Sequence, residues 1–130
     1  MESVVLDSSA VIAFYNSADK HHKKIVAEVS ASSARFLIST ITLTESMVAA
    51  YRVSEGVAQR MLVELTRAFA PFIEIDTEIS LAAAKLRAKS ALATPDAIIS
   101  ASATKVGAAL WTFDRALAKA HPQARLLVKP

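Results

Sequence analysis

VVLDSSAVIA, residues 4–13, sets a short apolar run, an acid and two serines in that order. Val4, Val5 and Leu6 read as a buried strand. The apolar run from Ala10 to Tyr15 reads as the helix that follows it, spanning residues 9–16. Asp7 sits at the junction, where an acid or hydroxyl side chain caps the free N–H groups of a helix start. Capping alone explains Asp7. The other acids decide whether it does more.

Working outward from this unit, the same alternation recurs. Asp19 is placed to cap a second helix through KHHKKIVAEVSAS (residues 20–32), and FLIS (residues 36–39) reads as a strand. Thr40 or Thr42 then opens a helix running through Glu45 to about residue 52. SEGVAQRMLVELTRAF (residues 54–69) is amphipathic, with Met61, Leu62, Leu65 and Phe69 on one side and Arg60, Glu64 and Arg67 towards the other. Pro71 ends it. FIEID (residues 72–76) alternates like a strand and leads to a helix over residues 78–89. In TPDAIISASATKVG (residues 94–107), Thr94 is a natural N-cap, Pro95 suits the first helical position and Gly107 can close the far end. ALWTF (residues 109–113) is a further buried strand, followed by a helix over residues 114–120 and a short strand in ARLLV (residues 124–128). Strands alternating with helices predict an α/β sandwich with a mainly parallel sheet, whose ligands bind at the carboxyl ends of its strands.

Composition bounds the rest. The 130 residues suit a single domain over residues 1–130 with one core, and a hydrophobic fraction of 53% with two glycines argues against disorder. Without cysteine there are no disulfides, thiolate metal sites or cysteine nucleophiles. The longest apolar run is six residues, far short of a membrane span, and Glu2 without a basic leader argues against a signal peptide. A soluble, cytoplasmic protein with no membrane association is expected. Beyond Glu78 the only acids are Asp96 and Asp114, against Lys85, Arg87, Lys89, Lys105, Arg115, Lys119, Arg125 and Lys129. A basic face suits a polyanion such as nucleic acid.

Four acids then stand out. Asp7 and Asp114 each follow a buried strand, so a parallel sheet points both out of the same edge. Glu45 shares a helix face with Ile41 and Val48, and an acid on a core-facing stripe must be neutralised or bound. Asp96 lies in the first turn of its helix. Capping, dipole and ion-pair roles explain each acid singly but give no reason for four to recur at sheet-edge and helix-start positions. Clustered carboxylates repel, and oxygen-only ligands favour Mg²⁺ or Mn²⁺ over zinc. His21, His22 and His121 offer no rival site and are expected at the surface.

VVLDSSAVIA, ISTITLTE around Glu45, ATPDAIISASA around Asp96 and LWTFDRAL around Asp114 together resemble, over the whole chain, a PIN domain. More narrowly they resemble the VapC toxins of bacterial and archaeal toxin–antitoxin pairs. The resemblance implies a three-layer α/β/α fold and a metal-dependent endoribonuclease. In it Asp7, Glu45, Asp96 and Asp114 would hold one or two Mg²⁺ or Mn²⁺ ions, with Ser9 and Thr112 as auxiliary polar residues. It also implies an RNA substrate, a small cognate antitoxin and homodimers. Arg115 and Lys119 are the candidate RNA-binding bases, and Met61–Phe69 a candidate partner surface. Some relatives carry another acid at the position of Ala116, which bears on a second metal. Two alternatives are a phosphatase using Asp7 as nucleophile, where Ser9 replaces the second acid such enzymes need, and a non-catalytic RNA-binding or scaffold module.

Overall fold

The computed structural model describes residues 2–128, so Lys129 lies outside the described part. Four parallel strands, β1 (Ser3–Leu6), β2 (Arg35–Leu37), β3 (Ala109–Thr112) and β4 (Ala124–Leu126), form one sheet in the order β2-β1-β3-β4. Helices α1 (Ser8–Tyr15), α2 (His22–Ser30), α3 (Thr40–Val53) and α4 (Glu55–Phe69) cover one face. Helices α5 (Thr77–Lys89), α6 (Thr94–Val106) and α7 (Arg115–Ala120) cover the other. This is the α/β/α sandwich expected.

Two cores follow from the alternation of strand side chains. Val4, Leu6, Ile38 and Trp111 join Val11, Ile25, Leu65 and Phe69 on one side of the sheet. Val5, Leu37 and Leu110 join Ile79, Ile99 and Leu117 on the other. β1 is buried on both faces, which is why its sequence is apolar without a break.

Local chemistry sets most boundaries. Asp7, Ser39, Ser54, Asp76 and Asp114 each accept a backbone N–H as the N-cap of α1, α3, α4, α5 and α7. Gly107 ends α6 in the left-handed region at φ 68°, donating back to Ala103 and Thr104 carbonyls.

Several expectations need correction. Residues 72–76 form no strand: Ile73 makes one parallel bridge to Ser39, and Asp76 then turns the chain into α5. Thr94 does not cap α6, because the helix starts there after Ala93 and its hydroxyl accepts from Arg87 at 3.3 Å. Asp19 does not cap α2, because its carboxylate folds back onto the N–H of His21 at 2.8 Å and the helix begins after His21 with no side-chain cap. Ser39, immediately before Thr40, caps α3. Leu62 is 42% exposed, so the buried stripe of α4 runs through Ala58, Leu65 and Phe69. Among the described residues, no helix is long and apolar enough to cross a membrane.

Candidate active site

β1 and β3 pair with Leu6 beside Trp111, so one further step along each strand sets Asp7 beside Thr112. Thr112 Oγ1 donates to Asp7 Oδ2 at 2.5 Å and accepts the backbone N–H of Asp114 at 2.9 Å. Asp7 Oδ1 accepts from Ser9 Oγ at 2.7 Å and from the Ala10 N–H at 2.9 Å. Asp7 is thus a helix cap and, at 2% exposure, a buried carboxylate with both oxygens engaged. Burial pushes its carboxyl above the usual range. The bonds from Thr112, Ala10 and Ser9 pull it back, and the charge of Asp114 adds to the rise.

Glu45 comes in from α3. Ser8 Oγ donates to Glu45 Oε1 at 2.5 Å and lies 3.1 Å from Thr42 Oγ1. Ser8 was not singled out in the sequence, where it looks like another capping residue beside Ser9. On a helix, adjacent residues diverge, so the two serines serve different acids: Ser9 holds Asp7 and Ser8 holds Glu45. The stripe reading for Glu45 is corrected in part. Val48 is 42% exposed, and the buried face of α3 consists of Thr42, Ser46, Met47 and Ala50, with Glu45 half-buried at its margin.

Asp96 occupies the first turn of α6 and is half-buried. Burial raises its carboxyl to about 6, and the charges of Asp114, Asp7 and Glu45 add to the rise. The charges of Asp114, Asp7 and Glu45 thus reach Asp96 at the carboxyl edge of the sheet. Asp114 is the outermost, exposed to solvent, with its Oδ1 capping α7 through Leu117 at 3.0 Å. Arg115 and Lys119 follow it on the exposed side of α7. The described ion pairs, Lys24–Glu28, Arg67–Glu64, Arg125–Glu28 and Lys105 with Asp76 and Glu78, lie elsewhere.

As a donor set the cluster is oxygen only. Among the described residues no three acids stand close enough to grip one ion. Its chemistry still suits a hard divalent cation: four carboxylates from four elements, one of them held near 6 partly by the charge of the other three.

The histidines are not all at the surface. His121 is 4% exposed, and its Nδ1 lies 2.7 Å from the hydroxyl of Ser100, which is itself buried. It fills the gap between α6 and α7, where its apolar ring edges are useful and one hydroxyl satisfies its polar atom. His21 and His22 are half-buried: His21 stacks on Phe113 at 4.2 Å, and His22 Nδ1 meets the Ala13 carbonyl at 2.8 Å.

A sheet that presents four carboxylates at one edge defines a class. A family model for the PIN domain matches residues 4–121, and the chain belongs to that family. Among solved structures, a toxin–antitoxin complex from Klebsiella pneumoniae is similar at 26% identity and TM-score 0.81, covering 98% of this chain and 99% of that one. VapC20 of Mycobacterium tuberculosis, described as a Sarcin-Ricin loop cleaving toxin, is similar at 17% identity and TM-score 0.78, with the same coverage. VapBC-1 from nontypeable Haemophilus influenzae is similar at 20% identity and TM-score 0.77, covering 98% and 99%. These neighbours share the fold that the resemblance implies. No curated protein matches the chain.

Proposed function

We propose that the chain is the ribonuclease toxin of a toxin–antitoxin pair, cleaving RNA with the help of Mg²⁺ or Mn²⁺ held by Asp7, Glu45, Asp96 and Asp114. The observation that carries this is Asp96, a half-buried carboxylate that burial raises to about 6, with the charges of Asp114, Asp7 and Glu45 adding to the rise. Such a concentration of like charge persists where it serves a cation or a reaction. The description of VapC20 as a loop-cleaving toxin supports the same reading.

When bound, a divalent cation supplies Lewis acidity at a phosphoryl oxygen and a water that ionises near neutral pH. The protein's own part is positioning. Thr112, Ser9 and the Ala10 N–H fix both oxygens of Asp7, and Ser8 fixes Glu45. Thr112 also holds the backbone of Asp114, so one hydroxyl keeps two acids in register. Asp96 gains a proton as pH falls through about 6, lowering the negative charge of the cluster by one. Beyond these four acids, fifteen basic residues face eight acidic ones, a balance suited to a polyanionic substrate.

The engaged, buried oxygens of Asp7 weigh against the phosphatase alternative, which needs a free nucleophile. For partners, Val48, Tyr51, Val53, Leu62 and Val63 are exposed apolar residues on α3 and α4. An apolar groove of 440 Å³ lies between α1, α3 and α4, with Ser46 in its lining. These surfaces suit a cognate antitoxin or a second copy of the chain.

Purified protein should cleave RNA with Mg²⁺ or Mn²⁺ and stop with excess chelator, and alanine at any of the four acids should abolish cleavage. Cleavage that survives chelator, or that survives Asp7→Ala, sinks the proposal. Binding without cleavage under every metal condition favours the non-catalytic RNA-binding module.

A further inference from the structure

KHHKK, residues 20–24, carries charge that the acid cluster does not use, and no acid interrupts the chain between Asp19 and Glu28. The fold brings this segment to the edge that holds the four carboxylates. His21 lies parallel to Phe113, with ring centroids 4.2 Å apart and planes 8° apart, and Phe113 is the residue between Thr112 and Asp114. His22 fixes the segment from its other side through the Ala13 carbonyl.

The neighbouring bases are not equivalent. Glu28 engages both Lys24 at 3.0 Å and Arg125 at 2.6 Å. Lys20 and Lys23 are exposed and form no ion pair among the described residues, while Asp19 is occupied by the N–H of His21. Two uncommitted ammonium groups therefore lie within two residues of a ring stacked on Phe113, the residue before Asp114. A cationic pair at the rim of an anionic cluster can hold a polyanion that the cluster alone would repel.

We propose that Lys20 and Lys23, held at the rim by the stack of His21 on Phe113, bind phosphates of the RNA strand flanking the cleaved bond. This rests on the nuclease reading of the acid cluster. Lys20 and Lys23 contact the substrate backbone, and His21 is a positioning residue that acts through them.

The test compares wild type with Lys20→Ala/Lys23→Ala in two assays. One is equilibrium binding of a single-stranded 2′-O-methyl RNA, which resists cleavage, across salt concentrations with Mn²⁺ present. The other is cleavage of the matching RNA. Losing two phosphate contacts should lower the slope of log K against log salt by about 1.4, which weakens binding about 25-fold at 0.1 M salt if the two proteins converge near 1 M. KM should rise while kcat at saturating RNA stays unchanged. His21→Ala should raise KM with kcat unchanged, and His21→Phe, which keeps the stack, should restore it. Thermal melts confirm that each variant is folded.

A double variant with the affinity and salt slope of wild type overturns the proposal, even if wild type cleaves RNA and the nuclease reading survives. Wild type that binds through these lysines but cleaves nothing overturns the nuclease reading and leaves the rim assignment standing. Wild type that neither binds nor cleaves overturns both.

Discussion

The hydroxyl of Thr112 donates to Asp7 Oδ2 across 105 residues of sequence, at a buried point where β1 and β3 end side by side. The same oxygen accepts the N–H of Asp114. Replacing Thr112 with Val keeps the shape but strips a buried carboxylate oxygen and a backbone donor of their partner. The expected cost is about 1–3 kcal/mol, because a buried polar group left unpaired keeps its full desolvation penalty. Thr112→Ser should recover most of it. Urea denaturation of the three proteins measures this, and a Val variant as stable as wild type would show that the bond contributes nothing.

Asp96 allows a test with a definite sign. Its folded-state carboxyl titrates near 6, above its ordinary 3.8, so folding favours the protonated form. Its favourable contribution is complete below about 4 and is lost as pH rises through 6. Removing the charge with Asp96→Asn should therefore stabilise the metal-free protein at pH 8 by about 1–2 kcal/mol, after discounting for partial solvent exposure, and change little at pH 4. A helix-start carboxylate acts oppositely, contributing about 0.3–1 kcal/mol that the variant would lose. Thermal melts in chelator at the two pH values decide between them. Adding Mn²⁺ should raise the melting temperature of wild type more than that of the variant, since ligand binding to the native state adds to its stability. A variant less stable than wild type at pH 8, shifted equally by Mn²⁺, would leave Asp96 as a helix-start residue only.

His121 should give a dependence of the other sign. Burial holds its imidazole below the usual value, so the fold carries it neutral beside Ser100. That stability is present above about 6.5 and is lost as pH falls through the lowered folded-state value. In an Asp96→Asn background, which removes one opposing carboxylate trend and leaves that of Asp7, His121→Gln should raise the stability at pH 5 relative to that at pH 7. Equal acid slopes with and without His121 would contradict this.

Gly107 provides a structural control away from the site. It closes α6 at φ 68°, and nothing lies within 4 Å of where a Cβ would stand. Gly107→Ala should cost about 1 kcal/mol from backbone strain alone, with no clash to relieve. Chemical denaturation should register that loss while cleavage per folded molecule is unchanged. A fall in kcat would mean that the end of α6 is coupled to Asp96 at its start.

The sequence by itself determined the layering of this protein and the identity of the four acids. Strand runs such as VVL and ALW, caps such as Asp7 and Asp114, and the closing Gly107 act through hydrogen bonds and dihedral angles within a few residues, so their chemistry is legible locally. Where such signals competed, the structure decided. Asp19 offered a cap and made a tight turn instead, Thr94 was taken by Arg87, and residues 72–76 alternated like a strand but made a single bridge, from Ile73 to Ser39. Contacts between elements belong wholly to the tertiary structure. The strand order β2-β1-β3-β4 and the register of β1 on β3 bring Thr112 to Asp7. Helix packing brings Ser8 to Glu45, His21 to Phe113 and His121 into the core against Ser100. No periodicity encodes these approaches, because each depends on where two remote segments come to rest. Hydrogen bonds and ring contacts between remote elements, unlike helix caps, have no sequence spacing to reveal them.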